Sequence, residues 1–437
     1  MPCLDIHTEL KNSKAYLKLH SERTVNNELI LKTPLQLNAH TILKNRIVKS
    51  ALSEALANAD GSPSEKLIRL YETWAKSGAG LIITGNVMID SNALGEPGNV
   101  VIEDETHLNA LSQWASASKS DGSQIWMQIN HPGKQALRGL NKETVSPSAV
   151  PFSLKLGALF STPRALESEE IWKIIQRYAT TAEIAKKAGF DGVQLHGAHG
   201  YLISQFLSPH HNQRTDEWGG TAEKRRKFVL EIYNAIREKV GADFTIAIKL
   251  NSADFQRGGF TEEESLDTIL ALEKAGIDLI EISGGTYEKP IMQLGQVKAS
   301  TRSREAYFLD FAEKVRKASK VKLMVTGGFR SLNGIETALK TDQLDLIGLG
   351  RIFAIEPLAP QRLLNGEESL QTVKPLTTGI KYIDQLGTLE ITWYTRQLLR
   401  IGLGKQPIPN ENGLKSFILD LKDKGFGILK MRRLRSS

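Results

Sequence analysis

Residues 168–199 read SEEIWKIIQRYATTAEIAKKAGFDGVQLHGAH, and two kinds of segment meet inside this stretch. From Glu169 to Ala188 the apolar residues recur at helical spacing; Ser168 stands where a helix starts and Gly189 where one stops. Gly192–His196 is a short run closed by a polar residue, the form expected of a parallel strand covered on both faces.

The same unit recurs on either side. Short runs rich in Val, Ile and Leu lie at Ile47–Leu52, Leu81–Val87, Ile125–Asn130, Thr245–Leu250, Leu279–Ser283, Leu323–Thr326 and Asp345–Gly350. Amphipathic stretches separate them, at Ser64–Ser77, Glu105–Ser120, Ala222–Val240, Glu262–Ala275 and Arg304–Ala318. Eight alternations fit a closed α/β architecture, the (β/α)8 TIM barrel. A doubly wound open sheet competes, but it would carry a Gly-rich turn after its first strand. Here the first strand leads into Ser50-Ala51-Leu52-Ser53-Glu54. The barrel is expected over residues 28–370, with an N-terminal arm at 1–27. A C-terminal extension at 371–437 should hold helices near Tyr382–Arg400 and Leu414–Lys424. The long stretch Ala136–Pro163, with Pro147, Pro151 and Pro163, reads as an active-site excursion or lid.

Composition bounds the function. Of 437 residues, 41% are hydrophobic and 24% charged, as in ordinary globular proteins. A net charge of +7 is mild for this length, and the basic Lys430–Ser437 stretch reads as a solvated tail. Neither a nucleic-acid nor a membrane partner is expected. The single cysteine, Cys3, leaves no internal disulfide and no Cys-ligated iron–sulfur cluster. Met1–His20 lacks the apolar core of a signal peptide, and no run of about 18 apolar residues exists. A cytoplasmic setting is expected.

Barrel enzymes place reactive groups at the C-terminal ends of their strands. Those ends give Ser50, Gly85-Asn86, Gln128 with Asn130-His131, His196 with His199, Lys249 with Asn251, Ser283-Gly284-Gly285, Gly327-Gly328 and Gly350-Arg351. No pair of carboxylates is evident, which argues against a glycosidase. Gly327, Gly328, Gly350 and Arg351 follow the seventh and eighth strands, where barrels bind phosphate through backbone N–H groups; Arg351 adds a charged fork. His196 and His199, three apart, suit a shared metal. No Cys or acidic residue at a neighbouring strand end completes such a site. They equally suit two neutral imidazoles donating to an oxygen, with Tyr201 as proton donor.

The run AGFDGVQLHGAHGYLISQFLSP from Ala188, continued by NQRTDEWGG from Asn212, closely resembles the old yellow enzyme family of FMN oxidoreductases. So do Leu43-Lys-Asn-Arg-Ile-Val, Gln128-Ile-Asn-His-Pro-Gly-Lys and Gly348-Leu-Gly-Arg351; the likeness spans about residues 30 to 370. It implies an enzyme that uses NADH or NADPH to reduce an activated C=C bond by ping-pong hydride transfer through FMN. By the same likeness, Ser50, Ala51 and Leu52 lie along the flavin, Gly85 lies beside its ring, and Gln128 reads its pyrimidine edge. His196 and His199 hold the small-molecule substrate's oxygen, and Tyr201 donates the proton. Lys249 supplies a cation near the flavin N1–O2 edge. Gly327, Gly328, Gly350 and Arg351 hold the phosphate.

Two positions depart from some relatives: Ser53 stands where they carry a Cys that tunes the flavin, and Ala55 where they carry a substrate-side Tyr. Arg214, Asp216, Arg225 and Arg226 read as structural ion pairs. Large dienoyl-CoA reductases of this superfamily add a cluster segment and a second nucleotide-binding domain, which this chain has neither the cysteines nor the length for. Some relatives take an arginine from a neighbouring subunit into the active site; Arg396, in the C-terminal extension, is not assigned to that role, and a homo-oligomer stays open. The competing functions are a metal-dependent barrel enzyme using His196 and His199, and a flavin-binding barrel with little turnover.

Overall fold

Each short run becomes a strand because its alternate side chains find two different cores. A computed structural model describes residues 29–153, 157, 159–285, 308–372, 376–377, 389–416, 418–419 and 422. Eight parallel strands lie at Ile47–Lys49 (β1), Leu81–Ile83 (β2), Gln124–Asn130 (β3), Gly192–Gly197 (β4), Thr245–Asn251 (β5), Leu279–Ser283 (β6), Lys322–Thr326 (β7) and Leu346–Leu349 (β8). Each pairs with the next, and β8 pairs back onto β1, so the sheet closes. The fold is a (β/α)8 barrel.

Facing outward, residues such as Ile47, Ile82, Ile125, Val193, Ile246 and Ile280 join one large core with the helices. Facing inward at the lower end, Val48, Leu81, Trp126, Ala247, Leu279, Met324 and Leu346 form a second apolar cluster. The antiparallel hairpin of Leu35–Gln36 and Ile42–Leu43 closes that end with Leu35, Leu37 and Leu43. Two residues further along the same strand faces the interior turns polar: Ser50, Gln128, Gln194, Lys249, Glu281 and Thr326 are all buried. The barrel is therefore dry at one end and hydrogen-bonding at the other.

The covering helices include Glu65–Ala75 (α1), Leu108–Ala117 (α2), Ser168–Lys187 (α3), Ala222–Val240 (α4), Glu262–Ala275 (α5), Leu309–Ala318 (α6), Leu332–Lys340 (α7) and Leu389–Gly402 (α8). Ser64, Thr221 and Thr261 cap α1, α4 and α5 through their hydroxyls, each worth about 1 kcal/mol. Several boundaries differ from the sequence reading. The cap of α3 is Glu167, whose N–H donates to the Glu170 carboxylate, rather than Ser168. The stretch Glu105–Ser120 begins as a 3-10 turn, Glu105–His107, before α2. The expected strand Leu81–Val87 breaks at Thr84–Asn86, because the Gly85 N–H is drawn off to the Glu54 carboxylate and the Tyr71 hydroxyl. Val87–Met88 then forms a separate strand against Val100–Val101 and the end of β3.

The excursion Ala136–Pro163 is tethered at its described residues. Leu137 bridges Phe160, and Val145–Ser146 pairs with Arg164–Ala165. Buried Lys134 donates to the carbonyls of Val150 and Pro151. Helix α8 packs on α1. The N-terminal arm, Cys3, the start of the Arg304–Ala318 stretch, residues 382–388, residues 417, 420–421 and 423–424 of the second C-terminal helix and the basic tail lie outside the described residues. Among the described residues no helix is long and apolar enough to cross a membrane.

Candidate active site

The turn after β4 carries His196-Gly-Ala-His199-Gly-Tyr201. It is tight enough that His199 adopts a left-handed φ of 60°, with Gly200 at 82° behind it. For a non-glycine residue this conformation costs of order 1–3 kcal/mol. The surroundings enforce it: Asn251 Oδ1 accepts the His199 N–H at 3.1 Å, and the Asn251 amide is fixed by Asp254 and the Gly285 carbonyl. The result gathers three rings. His196 lies 5.1 Å from His199 and 4.6 Å from Tyr201 between centroids, in edge-on geometry.

Both imidazoles are neutral. Burial, then the neighbouring His199 and Lys249, holds His196 well below its ordinary value. Burial and Lys249 push His199 down to about 3. His196 Nδ1 accepts the Ala198 N–H at 3.4 Å, so the proton of the neutral ring sits on Nε2. His199 Nε2 meets the Ser283 hydroxyl at 2.7 Å, which fixes the ring. Asn86 Nδ2 donates to the Tyr201 hydroxyl oxygen at 3.4 Å.

Beneath these rings lies a continuous buried network. Gln128 Nε2 donates to Gln194 Oε1 at 2.8 Å, and Gln194 Nε2 donates to Glu281 Oε2 at 2.7 Å. Thr326 Oγ1 donates to Glu281 Oε1 at 2.6 Å and meets Ser50 Oγ at 2.8 Å. Lys249 Nζ lies 3.0 Å from Glu281 Oε1. This corrects two points of the sequence reading. An acidic residue does stand beside the site, directly across from Lys249 in the strand register. Lys249 is therefore a charge-compensated cation rather than a lone one.

The other expected residues fall as follows. Ala51 packs on the inner apolar cluster and Leu52 on the outer one. Gly85 is hemmed in: a Cβ there would lie 1.9 Å from Glu54 Oε2 and 2.1 Å from the Leu52 carbonyl. Gly327 and Gly328, after β7, take left-handed φ values of 103° and 100°, open to glycine. Gly350 caps the 3-10 turn Arg351–Ala354. Arg351 is half exposed and pairs with Glu390 of α8 at 3.1 Å. Arg214 pairs with Asp216, Arg225 with Glu264 and Arg226 with Asp267. Arg396 lies 3.9 Å from Glu411. At the two departures, Ser53 Oγ is buried with no hydrogen-bond partner among the described residues, and Ala55 takes a left-handed φ of 53° against Gly98.

The residues present fit FMN. The amide of Asn130, two residues beyond Gln128 on the same strand face, is fully buried, and neither end has a partner among the described residues. Buried orphan amides of this kind await a ligand. The donor set is amides, hydroxyls and a paired cation, suited to the polar edge of a heteroaromatic ring, with glycines after β7 and β8 suited to a phosphate. The sequence reading missed Gln194, Glu281 and Thr326 as parts of this site, and it placed Ser283 at a strand end without giving it a role. One signal was available: a glutamate inside the apolar run Leu279-Ile-Glu-Ile-Ser, where a lone buried charge requires a partner.

The family model for NADH:flavin oxidoreductase / NADH oxidase matches residues 31–369. An NADH-dependent flavin oxidoreductase of Aspergillus parasiticus is 39% identical over 394 residues, covering 86% of this chain and 87% of that protein. Another, from Hypocrea jecorina, is 36% identical over 366 residues, covering 78% and 90%. Among solved structures, morphinone reductase superposes with a TM-score of 0.66 at 26% identity, covering 80% of this chain and 93% of that one. The chain belongs to the NADH:flavin oxidoreductase / NADH oxidase family, within the old yellow enzymes, and is an FMN-dependent oxidoreductase that draws electrons from NADH or NADPH.

Proposed function

We propose that the enzyme reduces the activated C=C bond of an α,β-unsaturated carbonyl or related small molecule. The observation that carries this reading is the cluster of His196, His199 and Tyr201, with both imidazoles held neutral by burial. FMN, when bound, would supply the hydride-transfer chemistry that links the pyridine nucleotide to an electron-poor carbon of the acceptor. His196, through Nε2–H, and His199 donate to the substrate's carbonyl or nitro oxygen and stabilise the charge that develops there. A neutral donor suits this task, because it stabilises the oxyanion without surrendering its own proton. Tyr201 delivers its proton to the α-carbon, and the Asn86 amide stabilises the phenolate left behind. Ser50, Ala51, Leu52, Gly85, Gln128 and Lys249 would line the flavin ring; Gly327, Gly328, Gly350 and Arg351 would hold its phosphate. The cofactor then sits within a barrel unit of residues 28–370, flanked by the arm 1–27 and the extension 371–437.

The test uses the flavin's visible absorption band under anaerobic conditions. NADH or NADPH should bleach it, and an enone such as 2-cyclohexenone should restore it. Bleaching without recovery would count against C=C reduction and favour another acceptor.

A further inference from the structure

We propose that Glu281 is a positioning residue that dictates which atoms the flavin-facing side chains present. The proposal rests on the reading above that Gln128 and Ser50 face the flavin. Glu281 is fully buried and forms an ion pair with Lys249 Nζ at 3.0 Å. A carboxylate can only accept hydrogen bonds, so every neighbour must turn a donor towards it.

That constraint propagates along two arms. In the first, Gln194 must give Glu281 its NH2 group. Its carbonyl oxygen then faces Gln128, which must spend an N–H on it. Gln128 is left with Oε1 as an acceptor and one remaining N–H for a ligand. In the second arm, Thr326 spends its only hydroxyl proton on Glu281. In the 2.8 Å contact between Thr326 and Ser50, Ser50 must therefore be the donor. Ser50 is left with lone pairs alone to offer. Gly348 makes room for this arm: a Cβ there would lie 2.0 Å from Thr326 Oγ1 and 2.5 Å from Ser50 Oγ.

One buried carboxylate thus polarises both ends of the shell. The pyrimidine edge of an isoalloxazine carries an N3–H between two carbonyl groups, and an outward Gln128 Oε1 matches that N–H. A glutamine at position 281 can donate or accept, so the orientation of both arms becomes degenerate. It also leaves Lys249 uncompensated, which favours the anionic reduced flavin.

The experiment is binding of FMN and of 3-methyl-FMN, whose N3–H is blocked, to apoprotein of the wild type, Glu281→Gln and Gln194→Leu, followed by flavin midpoint potentials. The wild type should prefer FMN by about tenfold, the worth of one well-made hydrogen bond in a dry site. That preference should collapse towards unity in both variants. The midpoint potential should rise in Glu281→Gln and hold in Gln194→Leu, where the Lys249–Glu281 pair survives. Wild-type preference retained in Glu281→Gln overturns the proposal. No preference in the wild type itself overturns it differently, by removing Gln128 from the flavin edge. If Glu281→Gln does not fold, Gln194→Leu decides: retained preference there is equally fatal.

Discussion

Two buried lysine–glutamate pairs lie on opposite sides of the barrel wall, and they are built differently. Lys249–Glu281 is inside, at 3.0 Å, and its further partners are side chains: Gln194 and Thr326. Lys49–Glu54 is outside, at 3.6 Å, and its further partners are main chain and aromatic rings. Lys49 Nζ donates to the Ile83 carbonyl at 2.8 Å and lies over the rings of Trp74 at 4.2 Å and Tyr71 at 5.1 Å. Glu54 accepts from the Gly85 N–H and the Tyr71 hydroxyl. The outer pair ties β1, β2 and α1 together and so fixes the backbone at Gly85. The inner pair sets hydrogen-bond direction in the site. The same two residue types serve as a clamp where they hold backbone and as a polarity source where they hold side chains.

The largest effect should come from breaking the clamp. Glu54→Ala leaves the Lys49 cation buried and unpaired and orphans the Gly85 N–H. A loss of about 3–5 kcal/mol in unfolding free energy is expected by denaturant titration. A loss no greater than that of an ordinary surface substitution would mean the clamp is idle. The pH dependence sharpens the contrast. Burial pushes Lys49 down to about 8 from its ordinary 10.5 and pushes Glu54 up. Between those two values the unfolded chain holds a proton that the folded chain has shed. Lys49 therefore makes stability rise with pH over that window, by at most about 1.4 kcal/mol per pH unit. Lys49→Met should remove this rise; an unchanged slope would contradict it. A smaller effect is expected from crowding the inner arm. Gly348→Ala drives a methyl into Thr326 and Ser50, costing about 1–3 kcal/mol and weakening FMN retention. Unaltered FMN binding would show that the arm does not reach the cofactor.

The barrel was legible in the sequence because strand and helix periods alternate from Ile47 to Leu349, with the excursion Ala136–Pro163 set between them. The histidine pair was legible because turn and strand end are contiguous in His196–Tyr201. Neither lysine–glutamate pair was legible as a pair. Lys249 and Glu281 lie on different strands and meet only through the parallel register. Lys49 faces outward while its neighbour Val48 faces inward, a distinction that three residues of strand cannot announce. The break at Gly85 was hidden for the same reason: its cause, Glu54, lies across the barrel wall rather than nearby in sequence.

The proposed role of His196 and His199, holding the acceptor's oxygen during hydride transfer, belongs to only one of the two half-reactions. It is tested most directly by stopped-flow measurement of the two half-reactions in His196→Ala/His199→Ala. Bleaching of the flavin by NADH or NADPH should proceed near the wild-type rate, because no negative charge develops on an oxygen in that step. Reoxidation by 2-cyclohexenone should slow by at least about a hundredfold, the usual cost of losing an oxyanion donor. Reoxidation at the wild-type rate would contradict the account.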